Sequence, residues 1–164
     1  MKRLIVKSSL INGNGLFADE DIKKGEFIQY ITGRRVKRIA INKNDGYEEM
    51  KNWYGVGRSI WIDPEGTQFA YLNHSCEPNS AIGGTKSLIA MEDIKAGDEI
   101  SIDYSITDPD PFWEMECACK KISCRKIIRS IEHVPTSVFK KHFPNVPRYF
   151  QKRYIRHYIK SKIE

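Results

Sequence analysis

A mainly β domain with a helical C-terminal end is predicted by three features. Short apolar runs separated by glycine turns fill the first hundred residues, the run Glu99-Ile100-Ser101-Ile102-Asp103-Tyr104 alternates strictly, and helical spacing appears only after Cys124. In order, Leu4-Ile5-Val6 reads as a strand, Asn12-Gly13-Asn14-Gly15 as a turn, and Leu16-Phe17-Ala18 as the returning strand. Phe27-Ile28-Gln29-Tyr30-Ile31 resumes the strand pattern, and residues 34–51 are too polar for core, which predicts a loop or short helical insertion. Ser59-Ile60-Trp61-Ile62 leads into the turn Asp63-Pro64-Glu65-Gly66, and Leu88-Ile89-Ala90 is a further strand. Asn145-Val146-Pro147 marks a helix start, with Asn as cap and Pro in the first turn. Phe150, Tyr154, Ile155, Tyr158, Ile159 and Ile163 then recur along one helical stripe.

A chain of 164 residues supports one hydrophobic core, and 40% hydrophobic content excludes intrinsic disorder. No apolar run is long enough for a bilayer helix. The start Met1-Lys2-Arg3-Leu4-Ile5-Val6-Lys7 lacks the apolar segment of a secretory signal, so a cytoplasmic or nuclear protein is expected. The net charge of +6 is unevenly spread. Residues 134–164 hold eight Lys and Arg and one acid, a net +7, which leaves the rest of the chain at −1. Residues 98–116 carry Asp98, Glu99, Asp103, Asp108, Asp110, Glu114 and Glu116 without a single cation. That stretch is either a solvated face or an attractive field for a basic peptide. The basic end reads first as an amphipathic helix with its charges in water; a nucleic-acid contact is the alternative, and it is confined to this end.

Cys117, Cys119 and Cys124 form C-x-C-x4-C, with Cys76 distant in sequence. Four thiolates suit tetrahedral structural zinc, one loop supplying three of them. Disulfides or unrelated free thiols are the other readings, and a reducing compartment disfavours the first. Asn73-His74-Ser75-Cys76-Glu77-Pro78-Asn79 gathers an amide, an imidazole, a hydroxyl and a thiol, groups suited to turn-specific hydrogen bonds or metal ligation. Alone, the histidine would more often be structural, the Gly-Asn-Gly turn a plain hairpin and Tyr104 a core aromatic.

Taken together, Gly13-Asn14-Gly15-Leu16-Phe17-Ala18, the Asn73–Asn79 stretch, Gly97-Asp98-Glu99-Ile100-Ser101-Ile102-Asp103-Tyr104 and the three late cysteines resemble the SET-domain protein lysine methyltransferases. The resemblance covers about residues 10–130. It implies a SET-type β-clip of small antiparallel sheets with a knot-like crossing, plus a C-terminal helical extension. The implied division is a catalytic domain over 1–113, a post-SET-like zinc loop over 114–130, and a basic amphipathic extension over 131–164. The implied activity is S-adenosylmethionine-dependent methylation of a lysine in a basic, histone-like protein; a catalytically silent module that binds a protein or chromatin is the alternative. A zinc-stabilised nucleic-acid binder would leave the Asn-His-Ser and Asp-Tyr motifs unexplained.

By the same resemblance, Gly13, Asn14, Gly15, Leu16, Phe17, Tyr71, Asn73, His74 and Tyr104 hold the cofactor, and Tyr104 is the active-site tyrosine. Cys76 joins Cys117, Cys119 and Cys124 around one zinc, and Tyr30, Ile102, Phe112 and Trp113 line the lysine channel. Ile102 stands where members carry Phe or Tyr, which points to a roomy channel and more than one methyl. Two departures stand out: Ala70-Tyr71-Leu72 replaces the Arg-Phe that many members carry, and an aromatic cofactor contact near Trp53-Tyr54-Gly55 falls on Asn52. Methyl transfer needs a neutral lysine amine, and neutralising a free lysine near pH 7.4 costs roughly 4 kcal/mol. A nearby sulfonium and an apolar channel lower that cost, and aromatic rings tolerate the methylammonium product.

Overall fold

The computed structural model describes residues 1–39 and 52–163. Twelve short strands among them make four small sheets. β1 (Leu4–Ser8) and β2 (Asn14–Ala18) form a hairpin across the glycine turn, with Val6 opposite Leu16. β10 (Glu99–Ile102) adds antiparallel to β2, and β7 (Asn73–His74) adds parallel to β10, giving the order β1-β2-β10-β7. A second sheet runs β3 (Phe27–Tyr30), β9 (Ser87–Ala90), β8 (Ser80–Gly83). A third runs β4 (Arg34–Lys37), β6 (Ile60–Asp63), β5 (Tyr54–Gly55), and β11 (Glu114–Glu116) pairs with β12 (Ile127–Arg129).

The polar segment predicted as a loop or helical insertion therefore begins as a strand. Arg34–Lys37 is mostly exposed yet pairs along its length with β6, because an edge strand needs main-chain partners rather than an apolar face. The rest of that prediction, residues 40–51, lies outside the described residues. The strand predicted up to Tyr104 ends instead at Ile102. Asp103 then caps a 3-10 turn, Tyr104–Ile106, its carboxylate accepting from the Ser105 N–H. A side-chain acceptor at that point offers the backbone a bond that the ladder cannot match.

Leu16, Ile28, Phe69, Leu72, Leu88 and Ile100 fill the main core between the sheets. A second core joins Ile106 to Ile131, Val134, Phe139, Val146, Phe150 and Tyr154 of the C-terminal region. That region holds α1 (Thr136–His142), which the apolar spacing did not reveal, and α2 (Arg148–Ile163), which starts just past the predicted Asn145-Val146-Pro147. Phe150 and Tyr154 are buried as the stripe predicts, whereas Ile155, Tyr158, Ile159 and Ile163 are exposed. Only the first half of α2 has a core to cover. The stack of Phe139 on Tyr154, 3.9 Å between centroids, ties the two helices together. A third cluster gathers Cys76, Cys119 and Ile128, with Tyr104 and Trp113 packed against it. No helix among the described residues is long and apolar enough to cross a membrane.

Candidate active site

Parallel pairing of Asn73 with Ser101 and of His74 with Ile102 brings the two late motifs side by side. The Ser75 N–H donates to the Ile102 carbonyl at 2.9 Å, so the chain leaving β10 delivers Asp103 and Tyr104 directly against the histidine. The rings of His74 and Tyr104 lie 5.4 Å apart. Tyr104 Oη donates to the Leu72 carbonyl at 2.7 Å. Burial, with Glu99 adding its negative charge, pushes the phenol's pKa far above its ordinary value. The hydroxyl therefore stays protonated, spends its proton on Leu72, and offers lone pairs to any further partner.

His74 is fully enclosed, and burial pulls its pKa down to about 4 although the Asp103 carboxylate opposes this. Its Nδ1 accepts from the Tyr104 N–H at 3.2 Å, which puts the ring proton on Nε2, 3.4 Å from Cys76 Sγ. A neutral ring makes the 3.6 Å approach of Nδ1 to Asp103 a contact rather than an ion pair. Both nitrogens are thus engaged inside the protein, so the ring is a strut between Tyr104 and the thiol cluster, and the cofactor role expected of His74 falls to its main chain.

Asp103 is buried, and its Oδ1 accepts from Arg125 Nη2 at 2.7 Å and Ser105 N at 3.1 Å. Its Oδ2 faces His142 Nε2 at 3.6 Å. Burial alone would raise this carboxyl, but His142 and Arg125 outweigh it and hold the pKa down to about 2. Asp103, Arg125 and His142 were not singled out from sequence; the Asp-Tyr step and the arginine directly after Cys124 were the available signals.

At the glycine turn, Gly13 adopts a left-handed φ of +47° with nothing within 4 Å of where a Cβ would stand. Main chain is thereby presented to open space. Gly15 matters for another reason: a Cβ there would push the Glu99 carboxylate out of its present position. Asn73 Nδ2 lies 3.0 Å from the Asn14 carbonyl, 3.3 Å from the Asn12 carbonyl and 2.7 Å from Glu99 Oε1. Ser9 Oγ donates to the same carboxylate at 2.8 Å. Asn73 thus fastens the turn to β7, and Glu99, overlooked as part of an acidic run, organises both.

The other assigned residues divide. Phe17 is half-buried with Lys7 Nζ 5.9 Å from its ring centroid, and Tyr71 is exposed at the end of a 3-10 turn. Trp113 packs on the thiol cluster beside Tyr104, and Phe112 is exposed next to it. Leu16 is wholly inside the core, paired on both sides by Val6 and Ile100, and has no surface to give a ligand. Ile102 is likewise 1% exposed, facing a closed space with Ala81, Ile106 and His142 rather than an open channel. The inference of a roomy channel from Ile102 loses its basis. Tyr30, half exposed, has Phe27 and Lys86 against its ring on the β3-β9-β8 sheet.

Cys76, Cys117, Cys119 and Cys124 have their sulfurs within 4.8 Å of one another, with Cys76 and Cys117 at 3.7 Å. A tetrahedron of bonds of about 2.3 Å separates sulfurs by roughly that distance. The Arg125 N–H reaches Cys76 Sγ at 3.4 Å and joins His74 Nε2 as a donor to the thiolate, the outer-shell support a metal-bound sulfur requires. The cysteines fit one structural zinc.

The acidic stretch changes meaning. Asp103, Asp108 and Asp110 are buried, Glu99 serves Asn73 and Ser9, and Glu114 pairs with Arg129 at 3.0 Å. Most of the seven acids hold the fold together, so the field they present outward is far weaker than the composition suggests.

A glycine turn, a parallel motif pair and a tyrosine backed by a thiol cluster are thus brought together on small sheets. Residues 13–105 match the family model described as SET domain, and the chain belongs to that family. It is 30% identical over 146 residues to the probable histone-lysine N-methyltransferase set-23 of Caenorhabditis briggsae, covering 77% of this chain and 61% of that protein. It is 32% identical over 112 residues to the H3 lysine-36 specific histone-lysine N-methyltransferase of Homo sapiens, covering 60% of this chain and 4% of that one. Among solved structures, an autoinhibited ctPRC2 bound to S-adenosylmethionine matches with a TM-score of 0.54 and 27% identity over 66% of this chain and 16% of that chain. The chain spans at most about three-fifths of the length of these relatives.

Proposed function

We propose that this protein transfers a methyl group from S-adenosylmethionine to the side-chain amine of a lysine in a basic, histone-like protein. The observation that carries the reading is the Tyr104 hydroxyl, held protonated and donating to Leu72 beside the Asn73-His74 strand. The relatives are named as histone-lysine methyltransferases, and a histone substrate would place the protein at chromatin.

The exposed main chain at residues 12–14 and the ring of Phe17 would hold the cofactor, whose sulfonium supplies the electrophilic methyl. With its proton committed to Leu72, the Tyr104 oxygen accepts an N–H from the incoming amine. That bond aims the remaining lone pair and leaves it free. A phenol of such high pKa does not take the lysine's proton, which therefore leaves to solvent before transfer. Trp113, packed beside Tyr104, and the exposed Phe112 would flank the arriving side chain. Over the thiol cluster, His74 and Arg125 couple the cysteine loop to Tyr104 and Asp103, which would keep the orienting oxygen fixed.

Incubation with labelled cofactor and a panel of core histones and other basic proteins, read by mass spectrometry, tests the proposal. Methylated lysine is expected, and its absence across the panel would leave a silent binding module as the better reading.

A further inference from the structure

The basic C-terminal helix does more than solvate itself. A cleft of about 740 Å³ opens between α2 and the turn that carries Arg58. Lys152, Arg156 and Lys160 line it at intervals of four residues, so they stand on one helix face about 6 Å apart. Arg58 adds a cation from the opposite wall. On the floor, Arg153 is held by Glu132, with Nε 2.9 Å from Oε1, and its Nη1 donates to Tyr149 Oη at 3.2 Å. Glu132 is the one acid in the lining, and Arg153 already neutralises it.

Stacking like charges along a helix face is unfavourable without a counter-charge. Arg58, Lys152 and Arg156 have no carboxylate partner among the described residues. A linear row of cations on a rigid helix, faced by another across a groove, complements a regular row of phosphates rather than one compact anion. We propose that this cleft grips the phosphate backbone of duplex DNA without reading its sequence. The choice of DNA as the source of those phosphates rests on the histone reading above, since that substrate is carried on DNA; the binding itself does not require methyl transfer.

The test is fluorescence anisotropy of a labelled 20-base-pair duplex, about that length spanning two helical turns, with the full chain across a salt series. Three or four phosphate contacts predict a log–log salt slope of about −3 to −4. Lys152→Glu with Arg156→Glu should weaken binding at least tenfold and lower the slope by about 2. Both side chains are exposed, so circular dichroism should be unchanged. Lys140→Glu with Lys141→Glu, the same charge change on α1, should have a much smaller effect. Equal losses from the two pairs would mean diffuse attraction and overturn the site. So would tighter binding of an RNA duplex, equal binding of phosphatidylserine vesicles, or no binding at low salt. Methylation of a free histone peptide should be unaffected by Lys152→Glu and Arg156→Glu; if no protein shows methylation yet the DNA result holds, only the enzymatic reading fails.

Discussion

His142 Nε2 lies 3.6 Å from Asp103 Oδ2, and both side chains are closed off from solvent. The pair joins the C-terminal extension to the residue that caps the Tyr104 turn. Replacing His142 with Leu keeps the volume and removes the polar partner, leaving Oδ2 facing an apolar wall. At 3.6 Å the contact is too long for a hydrogen bond, so the loss is the electrostatic support of a buried carboxylate, about 1 kcal/mol, and the melting temperature should drop by a few degrees. Methyl transfer should slow more than cofactor binding weakens, a split that kinetics together with calorimetry would reveal.

Asp103 also fixes an acid dependence. Its folded pKa, about 2, lies below the unfolded value near 3.8. A depressed carboxyl contributes stability that is present above the unfolded pKa and is lost as pH falls toward the folded one. Acid unfolding of the wild type should therefore lose on the order of 2 kcal/mol between about pH 4 and pH 2. Asp103→Asn, less stable at neutral pH, should lack this component. Metal release is common to both chains and cancels in the difference.

Glu99→Gln tests the anchoring of the glycine turn. It weakens the bond from Asn73 and gives Ser9 a poorer acceptor. Cofactor affinity should fall by about tenfold, near 1.4 kcal/mol, with little change in melting temperature. Gly15→Ala should do worse, because the new methyl meets the Glu99 carboxylate directly. Isothermal titration with S-adenosylmethionine reads both.

Cys76→Ser should abolish stoichiometric zinc. Elemental analysis is expected to give one zinc per wild-type chain, and loss of one of four ligands leaves no closed tetrahedral site. Activity should fall with it, because Cys76 is where His74 and Arg125 meet the metal loop. A wild-type chain without zinc would mean that the cysteines are ordinary thiols, and an unchanged zinc content in Cys76→Ser would remove Cys76 from the ligand set.

Much of the frame was legible because it is written in local signals. The Gly13 turn, the alternating run into β10 and the three late cysteines each prescribe a structure by composition and spacing. What could not be read depended on distant partners. Nothing local marks Glu99 as the acceptor for Asn73, since the two are joined by sheet pairing 26 residues apart. The burial of three acids in residues 98–116 is invisible until Arg125 and the C-terminal helices arrive. Period-2 alternation placed Ile102 on a strand but could not say that its face was closed by His142. The exposed half of α2 follows from where the core ends, which no helical periodicity encodes.

Tyr104→Phe is the most direct test of the account. The change removes one oxygen and its bond to Leu72, which should cost only about 1 kcal/mol of stability. Single-turnover methyl transfer to the best histone substrate, measured with zinc content and cofactor affinity, should fall at least a hundredfold while the other two stay at wild-type values. Transfer at the wild-type rate by a folded, zinc-loaded Tyr104→Phe chain would contradict the role assigned to the hydroxyl.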